Sequence, residues 1–296
     1  MGLFSNKSPC PVCGGKVSGL LPWKVEGEPV CGKCHDKVDL PDDMEKSITI
    51  EELKEYMVFY EENQVLKDKF VVSELLKFGF WNKKMVVDYE NNMFCMNKVP
   101  DKTIFEGSLL QSFTIKEGRE LLFKGSQEGL TRYESTVPKR VEEQREYISK
   151  AVRSKRFKNT LDVLSDRDNR NTVYDDIRVP TPFEDFDIRL NLDHPYWGVY
   201  EWDMAGPTFS NEYPDVDDYL REYEDDVEEL EKLAKTLMKL AFPDAEETTV
   251  EAQSRGGSDK SGGDSIGEIK KYKALMEDGT ITKEEFQAKK KELLGI

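Results

Sequence analysis

Four cysteines in the first 34 residues limit what this chain can fold into more than any other feature. Cys10, Cys13, Cys31 and Cys34 follow the pattern C-x2-C-x17-C-x2-C. Each C-x2-C pair turns two thiols toward one point, and two such turns supply the corners of a tetrahedron at zinc-ribbon spacing. Gly14, Gly15 and Gly32 follow the cysteines, where the backbone must curl around an ion. A four-thiolate set closes the coordination sphere and is structural, because a catalytic zinc keeps one position for water. Disulfides are the alternative and need an oxidising compartment. The opening residues, Met1 to Pro9, contain no apolar signal segment, so a cytoplasmic location is expected and a structural Zn2+ is the favoured reading. His35, beside Cys34, is the second choice as a ligand. So small a segment cannot hold together by apolar burial, so metal binding and folding of residues 8–40 should be one event. Leu20, Leu21, Trp23 and Val30 are expected in two short strands between the knuckles, with the Trp23 ring packed over the ribbon.

The 296 residues include 43 Lys and Arg against 59 Asp and Glu, a net charge of −16. That balance excludes a generic nucleic-acid coat. With 38% hydrophobic and 34% charged residues, the chain can build one or two modest cores joined by solvated segments. No run reaches the roughly 20 apolar residues that span a bilayer. After the ribbon, Leu40 to Asp43 reads as a linker. Thr49 and Glu52 form a capping box opening a connecting helix over 49–63, with Leu53, Tyr56, Met57 and Tyr60 on one face.

Short β-rich runs follow at 70–72, 85–89 and 93–96, then at 108–115 and 120–123, with turns at Glu90-Asn91-Asn92 and Lys116 to Arg119. Two successive hairpins indicate an antiparallel meander. Cys95 falls inside a strand run and reads as a buried thiol rather than a nucleophile. Residues 131–182 interrupt the sheet pattern. Within them, 138–170 holds ten basic residues against six acidic ones, the one basic stretch of an acidic chain. Lys139, Arg140, Arg145, Lys150, Arg153, Lys155, Arg156 and Lys158 are candidate contacts for an anion, a phosphate of lipid or nucleic acid. A solvated insertion that offsets the acidic remainder is the blander and favoured reading. Sheet texture returns over 186–192 and 196–204, with His194 as a turn or sheet-edge histidine.

Asp215 opens the longest helix, whose seam runs Val216, Leu220, Tyr223, Val227, Leu230, Ala234, Leu237 and Ala241. Such a seam fits a helix lying across an open sheet, or less well a homomeric coiled coil. Residues 243–264 read as a Gly- and Ser-rich flexible linker. The final stretch, 265–296, reads as two short helices with a second capping box at Thr282 and Glu285. Ile269, Tyr272, Leu275, Phe286 and Leu293 form its apolar faces, and its small core calls for a partner or a copy of itself.

Two parts of the chain match known patterns. The tail from Ile269 through Leu275-Met276-Glu277-Asp278-Gly279-Thr280-Ile281-Thr282-Lys283-Glu284-Glu285-Phe286 resembles the SHOCT (short C-terminal) domain. Cys10-Pro11-Val12-Cys13-Gly14-Gly15-Lys16 together with Cys31-Gly32-Lys33-Cys34 resembles the small zinc-ribbon family DUF4428, found at the starts of bacterial and phage proteins. Those resemblances imply interaction or oligomerisation modules. They also imply a central β domain similar to pleckstrin-homology (PH) or GRAM modules over 68–242, with a long insertion at about 126–182. The expected fold is therefore α+β and multidomain: zinc ribbon, antiparallel PH-like domain closed by a long helix, flexible linker, helical hairpin. No paired carboxylates, phosphate loop or activated nucleophile suggests an enzyme. The expected function is a non-enzymatic zinc-binding adaptor that binds a protein partner or itself through its C-terminal hairpin. A nucleic-acid-associated regulator and a peripheral lipid-binding protein, each using the basic stretch, are the competing readings.

Overall fold

Strict alternation of apolar and polar residues along Asp185–Leu192 puts Phe186, Ile188, Leu190 and Leu192 on one face, and all four are buried. This is how a half-buried strand reads in sequence. The strand lies next to the edge strand in the larger of two main sheets of a computed structural model that describes residues 9–17, 21–78, 83–96, 103–164, 176–245 and 249–251. In chain order the elements are β1 (Lys24–Val25), β2 (Glu28–Pro29), α1 (Gly32–His35), α2 (Asp42–Ser47), α3 (Ile50–Lys69), β3 (Glu74–Phe78), β4 (Lys83–Asp88), β5 (Met93–Met96) and β6 (Ile104–Glu106). They continue with β7 (Leu110–Glu117), β8 (Glu120–Ser126), β9 (Gly129–Tyr133), α4 (Val137–Glu142), α5 (Arg145–Leu164), β10 (Asp185–Leu192), β11 (Val199–Ala205), α6 (Val216–Ala241) and β12 (Thr249–Glu251). The protein is mixed α+β, and among the described residues no helix is long and apolar enough to cross a membrane.

β3 to β6 form an antiparallel four-stranded meander. The second sheet has the order β11-β10-β7-β8-β9-β12, antiparallel except for the β9–β12 pair. The two successive hairpins of the sequence therefore belong to different sheets. β10 and β11 return after the helical segment to extend the second sheet beyond β7.

One core joins both sheets to α6. Phe94 and Phe105 of the first sheet, Phe113, Phe123 and Phe186 of the second, and Leu230, Leu233 and Leu237 of α6 all belong to it. Asp215 caps α6 by accepting from the Asp217 and Asp218 N–H groups at 2.8 and 3.2 Å. The buried stripe of α6 also takes in Tyr219, Leu233, Met238 and Leu240. That is wider than a two-position coiled-coil seam, and the sheets cover it. α6 approaches β8 so closely that a Cβ on Gly125 would lie 2.9 Å from the Met238 sulfur and 2.1 Å from the Phe113 ring. At the end of β7, Glu117 is buried and accepts a 2.6 Å hydrogen bond from the Tyr223 hydroxyl. Burial pushes the Glu117 carboxyl above its ordinary range.

Several local expectations need correction. Leu21 is 96% exposed, and the ribbon strands lie later, at Lys24–Val25 and Glu28–Pro29. Their register is set by the turn at Glu26 and Gly27, both at positive φ (50° and 84°). Leu40 to Asp43 is no free linker: Leu40 is buried, and Pro41 with Asp42 and Asp43 starts α2. The capping box at Thr49 and Glu52 is present, but the helix it opens continues to Lys69. Val71 and Val72 are exposed and in no strand, and Val71 N–H donates to the Asp88 carboxylate at 2.9 Å instead of to a ladder. Residues 131–182 carry the end of β9 and two helices, α4 and α5.

The chain divides into two units, Met1–Gln253 and Ser254–Ile296. The second lies outside the described residues, and with it Ile269, Tyr272, Leu275, Phe286, Leu293 and most of the 243–264 linker.

Candidate metal centre

The two knuckles are built by short backbone turns. In the first, Cys10 N–H donates to the Gly15 carbonyl and Gly14 N–H to the Cys10 carbonyl, both at 2.8 Å. Gly14 sits at φ +71°, which a side chain would resist. Pro9 and Lys16 close the turn as an isolated antiparallel bridge. In the second, the Val30 N–H donates to the Trp23 carbonyl at 2.8 Å, holding the hairpin against Cys31, and α1 carries Cys34 one turn further on.

The four sulfurs converge. All lie within 4.8 Å of one another, with Cys10 to Cys34 at 4.0 Å and Cys13 to Cys31 at 3.6 Å. A tetrahedral site with metal–sulfur bonds of about 2.3 Å has sulfur–sulfur edges of about 3.8 Å, so the two short pairs already match one ion and the remaining sulfurs need to close in by about 1 Å at most. All four cysteines are free thiols. Cys10, Cys31 and Cys34 are buried and Cys13 is exposed, so any ion here sits at the edge of the ribbon.

The thiols do not ionise alike. Burial raises Cys10, but the N–H groups of Cys31, Cys13 and Val12 outweigh it and bring its pKa down to about 6. The Cys31 N–H lies 3.5 Å from the Cys10 sulfur. Burial pushes Cys31 and Cys34 up. A divalent cation would draw the protons from all four, since metal ligation requires thiolates. His35 is not among the ligands: its ring lies against Trp23, with centroids 4.9 Å apart, and its Nε2 is 3.7 Å from a Glu45 carboxylate oxygen.

The sulfurs are the nucleus of a small core. Val17, Val25, Val30, Leu40, Leu53 and Tyr56 are buried around them, so α2 and the first turns of α3 belong to the ribbon. Residues 9–56 match a family described as a domain of unknown function (DUF4428). The match ends at Tyr56, the last fully buried residue of that core, against which Met57, Phe59, Tyr60 and Tyr196 also pack. No curated protein and no solved structure matches the chain.

This core is tied to the sheets. The Asp39 carboxylate accepts from Thr103 N–H and hydroxyl at 2.7 and 2.8 Å. The Asn63 amide donates to the Ile104 carbonyl at 2.8 Å and accepts from Ile104 N–H at 2.9 Å. Tyr196, in the β10–β11 loop, packs edge-on to Tyr56 at 5.0 Å. His194 holds that loop: its Nδ1 accepts from the N–H groups of Tyr196 and Trp197 at 3.1 and 3.0 Å, and Phe59 and Phe105 flank its ring. Sequence reasoning missed Asp39 and Asn63. The one signal for Asn63 was an amide seven residues beyond Tyr56, on the apolar face of α3.

The basic residues of the helical segment do not converge. Lys155 is buried and donates to the Glu212 carbonyl at 3.0 Å, so it is not available to an outside anion. Arg140 donates to the Pro182 carbonyl, and Arg145 is held by Glu142 and Asp217. Arg156 lies over the Tyr213 ring. Lys139, Lys150, Arg153 and Lys158 are exposed, while Arg167 and Arg170 lie outside the described residues. Cys95 is fully buried and its thiol is pushed up to about 12 by burial, as suits an inert core residue.

Proposed function

We propose that the protein is a non-enzymatic, zinc-stabilised adaptor of the cytoplasm of a bacterium or phage-infected cell. The observation that carries this reading is the closed set of four sulfurs. A site with four protein thiolates leaves no position for substrate or water, so the ion serves folding. Zinc suits it best, because tetrahedral all-sulfur sites favour zinc among the common divalent ions. The match over residues 9–56 supports a ribbon module and carries no reaction with it.

In this reading the two sheets and α6, which share one core, serve as the PH-like or GRAM-like body. The tail resembling a SHOCT domain supplies the docking element: its apolar residues Ile269, Tyr272, Leu275, Phe286 and Leu293 lose water by joining a partner or a second copy of this chain. Tethering such an element raises its effective concentration near that body without fixing its orientation.

Two measurements test the reading. Elemental analysis of the purified chain should return one zinc per molecule, and a zinc-free folded protein overturns the metal assignment. Light scattering should show a lower assembly mass after deletion of 265–296, and an unchanged mass removes self-association through the tail.

A further inference from the structure

α5 presents two unlike faces. Ile148 and Val152 turn toward the main core, and Lys155 is buried beside them. At 3.6 residues per turn, Tyr147, Lys150, Ser154, Phe157, Lys158 and Leu161 share an outward arc of about 100°. Tyr147, Phe157 and Leu161 on this arc are 59%, 66% and 49% exposed. No acidic residue lies on it, but Glu146 borders it and pairs with Lys150 at 2.6 Å on the exposed surface, a contact that lipid phosphates would have to replace. Across residues 145–161 the helix holds six basic residues and one acidic residue, Glu146, in a chain of net charge −16.

Arg145, Arg153 and Arg156 line a neighbouring cleft of about 470 Å3 between α5 and the start of α6. Arg145 is occupied there by Glu142 and Asp217, and Asp215 caps α6 at the cleft wall. The three arginines are thus matched by three carboxylates around the cleft, which is no anion pocket, and only Arg153 and Arg156 stand there without an ion pair to Glu142 or Asp217. Packing within the protein accounts for Ile148 and Val152 but not for three large apolar side chains in water with lysines between them. That combination matches an in-plane interfacial helix, whose aromatic and leucine side chains enter the acyl boundary while lysines reach lipid phosphates.

We propose that the outer face of α5 docks on an anionic phospholipid surface, with Tyr147, Phe157 and Leu161 as the inserting residues and Lys150, Arg153 and Lys158 as the headgroup contacts. Charge complementarity selects this occupant, because an acidic chain approaches an anionic bilayer only through a locally basic face. Leu161 favours a bilayer over single-stranded nucleic acid, since it has no ring on which a base can stack.

Flotation of the full chain with phosphatidylcholine vesicles, with and without phosphatidylserine, tests the proposal. Binding should require phosphatidylserine and weaken as salt rises. A Phe157→Ser, Leu161→Ser double variant should lose about tenfold or more in partitioning, since each buried CH2 contributes about 0.8 kcal/mol. Lys150→Glu with Lys158→Glu should lose at least as much, at roughly fivefold per lysine neutralised. These side chains stand in water, so both variants should melt with the parent protein, which separates lost docking from lost folding. Equal binding to neutral vesicles, no binding to either kind, or binding indifferent to both variants overturns the proposal. So does preferential binding of an oligonucleotide, or a salt-sensitive dimer that the same variants abolish.

Discussion

The Trp197 indole N–H donates to the main-chain carbonyl of Asp39 at 3.0 Å, across 158 positions of sequence. It joins the ribbon edge to the loop between β10 and β11, beside the aromatic contact of Tyr56 with Tyr196. The ribbon is therefore folded against the sheets, and its loss should be felt by the strands.

With the proposed zinc on the four sulfurs, its removal tests that coupling. Chelation, or Cys13→Ser, should lower the melting temperature of the whole 9–251 body by about 10 °C, as expected when roughly 4 kcal/mol of ligand-linked stability is lost from a domain of this size. Differential scanning calorimetry reads the shift. A separate low-temperature transition with the main one unmoved would show that the contacts at Asp39, Asn63 and Trp197 carry little coupling.

Asp39→Ala probes the same seam without touching the sulfurs. It strands the Thr103 N–H and hydroxyl, and a buried donor left unpaired costs about 1–3 kcal/mol. Urea unfolding should show a lower midpoint at unchanged slope, with zinc content retained.

Gly125→Ala places a methyl group against Phe113 and Met238. Overpacking of this kind costs about 1–3 kcal/mol. Phe113→Leu in the same chain should recover part of the loss, because the aromatic ring is the nearest obstacle. Failure of the second change to help would mean that α6, rather than the ring, cannot move.

His194 gives a pH dependence. Burial holds its imidazole at about 4, below the ordinary value of 6.5. The unfolded chain therefore binds this proton more readily between those values, so the stabilisation is present above about pH 6.5 and is lost as pH falls toward 4. The amount is on the order of 3 kcal/mol. His194→Asn keeps an acceptor for the Tyr196 and Trp197 N–H groups and removes the titration. Stability against pH should be flatter for the variant over that window, and parallel curves would assign the acid sensitivity to other groups.

What could be read from the sequence follows physical range. The four cysteines were legible because their spacing alone implies convergence, and the capping box at Thr49 because its two partners are three residues apart. Periodicity marked β10 and α6, whose burial is regular. It could not divide the strands between two sheets, since Met93–Met96 and Leu110–Glu117 read alike and only long-range pairing separates them. α5 escaped notice because its inward face includes a lysine and its outward face a phenylalanine, which blurs the 3.6-residue rhythm. Asp39 and Asn63 are ordinary polar residues until the residues at 103 and 104 arrive beside them.

The Asn63 side chain offers Ile104 a donor and an acceptor in the spacing that a neighbouring strand would present. β6 is the outermost strand of its meander, and such a strand is where a second molecule would ordinarily add on. With both polar groups of Ile104 taken, that border offers a second strand fewer places to pair. Replacing the amide with leucine would leave the apolar packing largely in place and free both polar groups of Ile104, so at this one of the sheet's two borders a single amide stands where a foreign strand would pair.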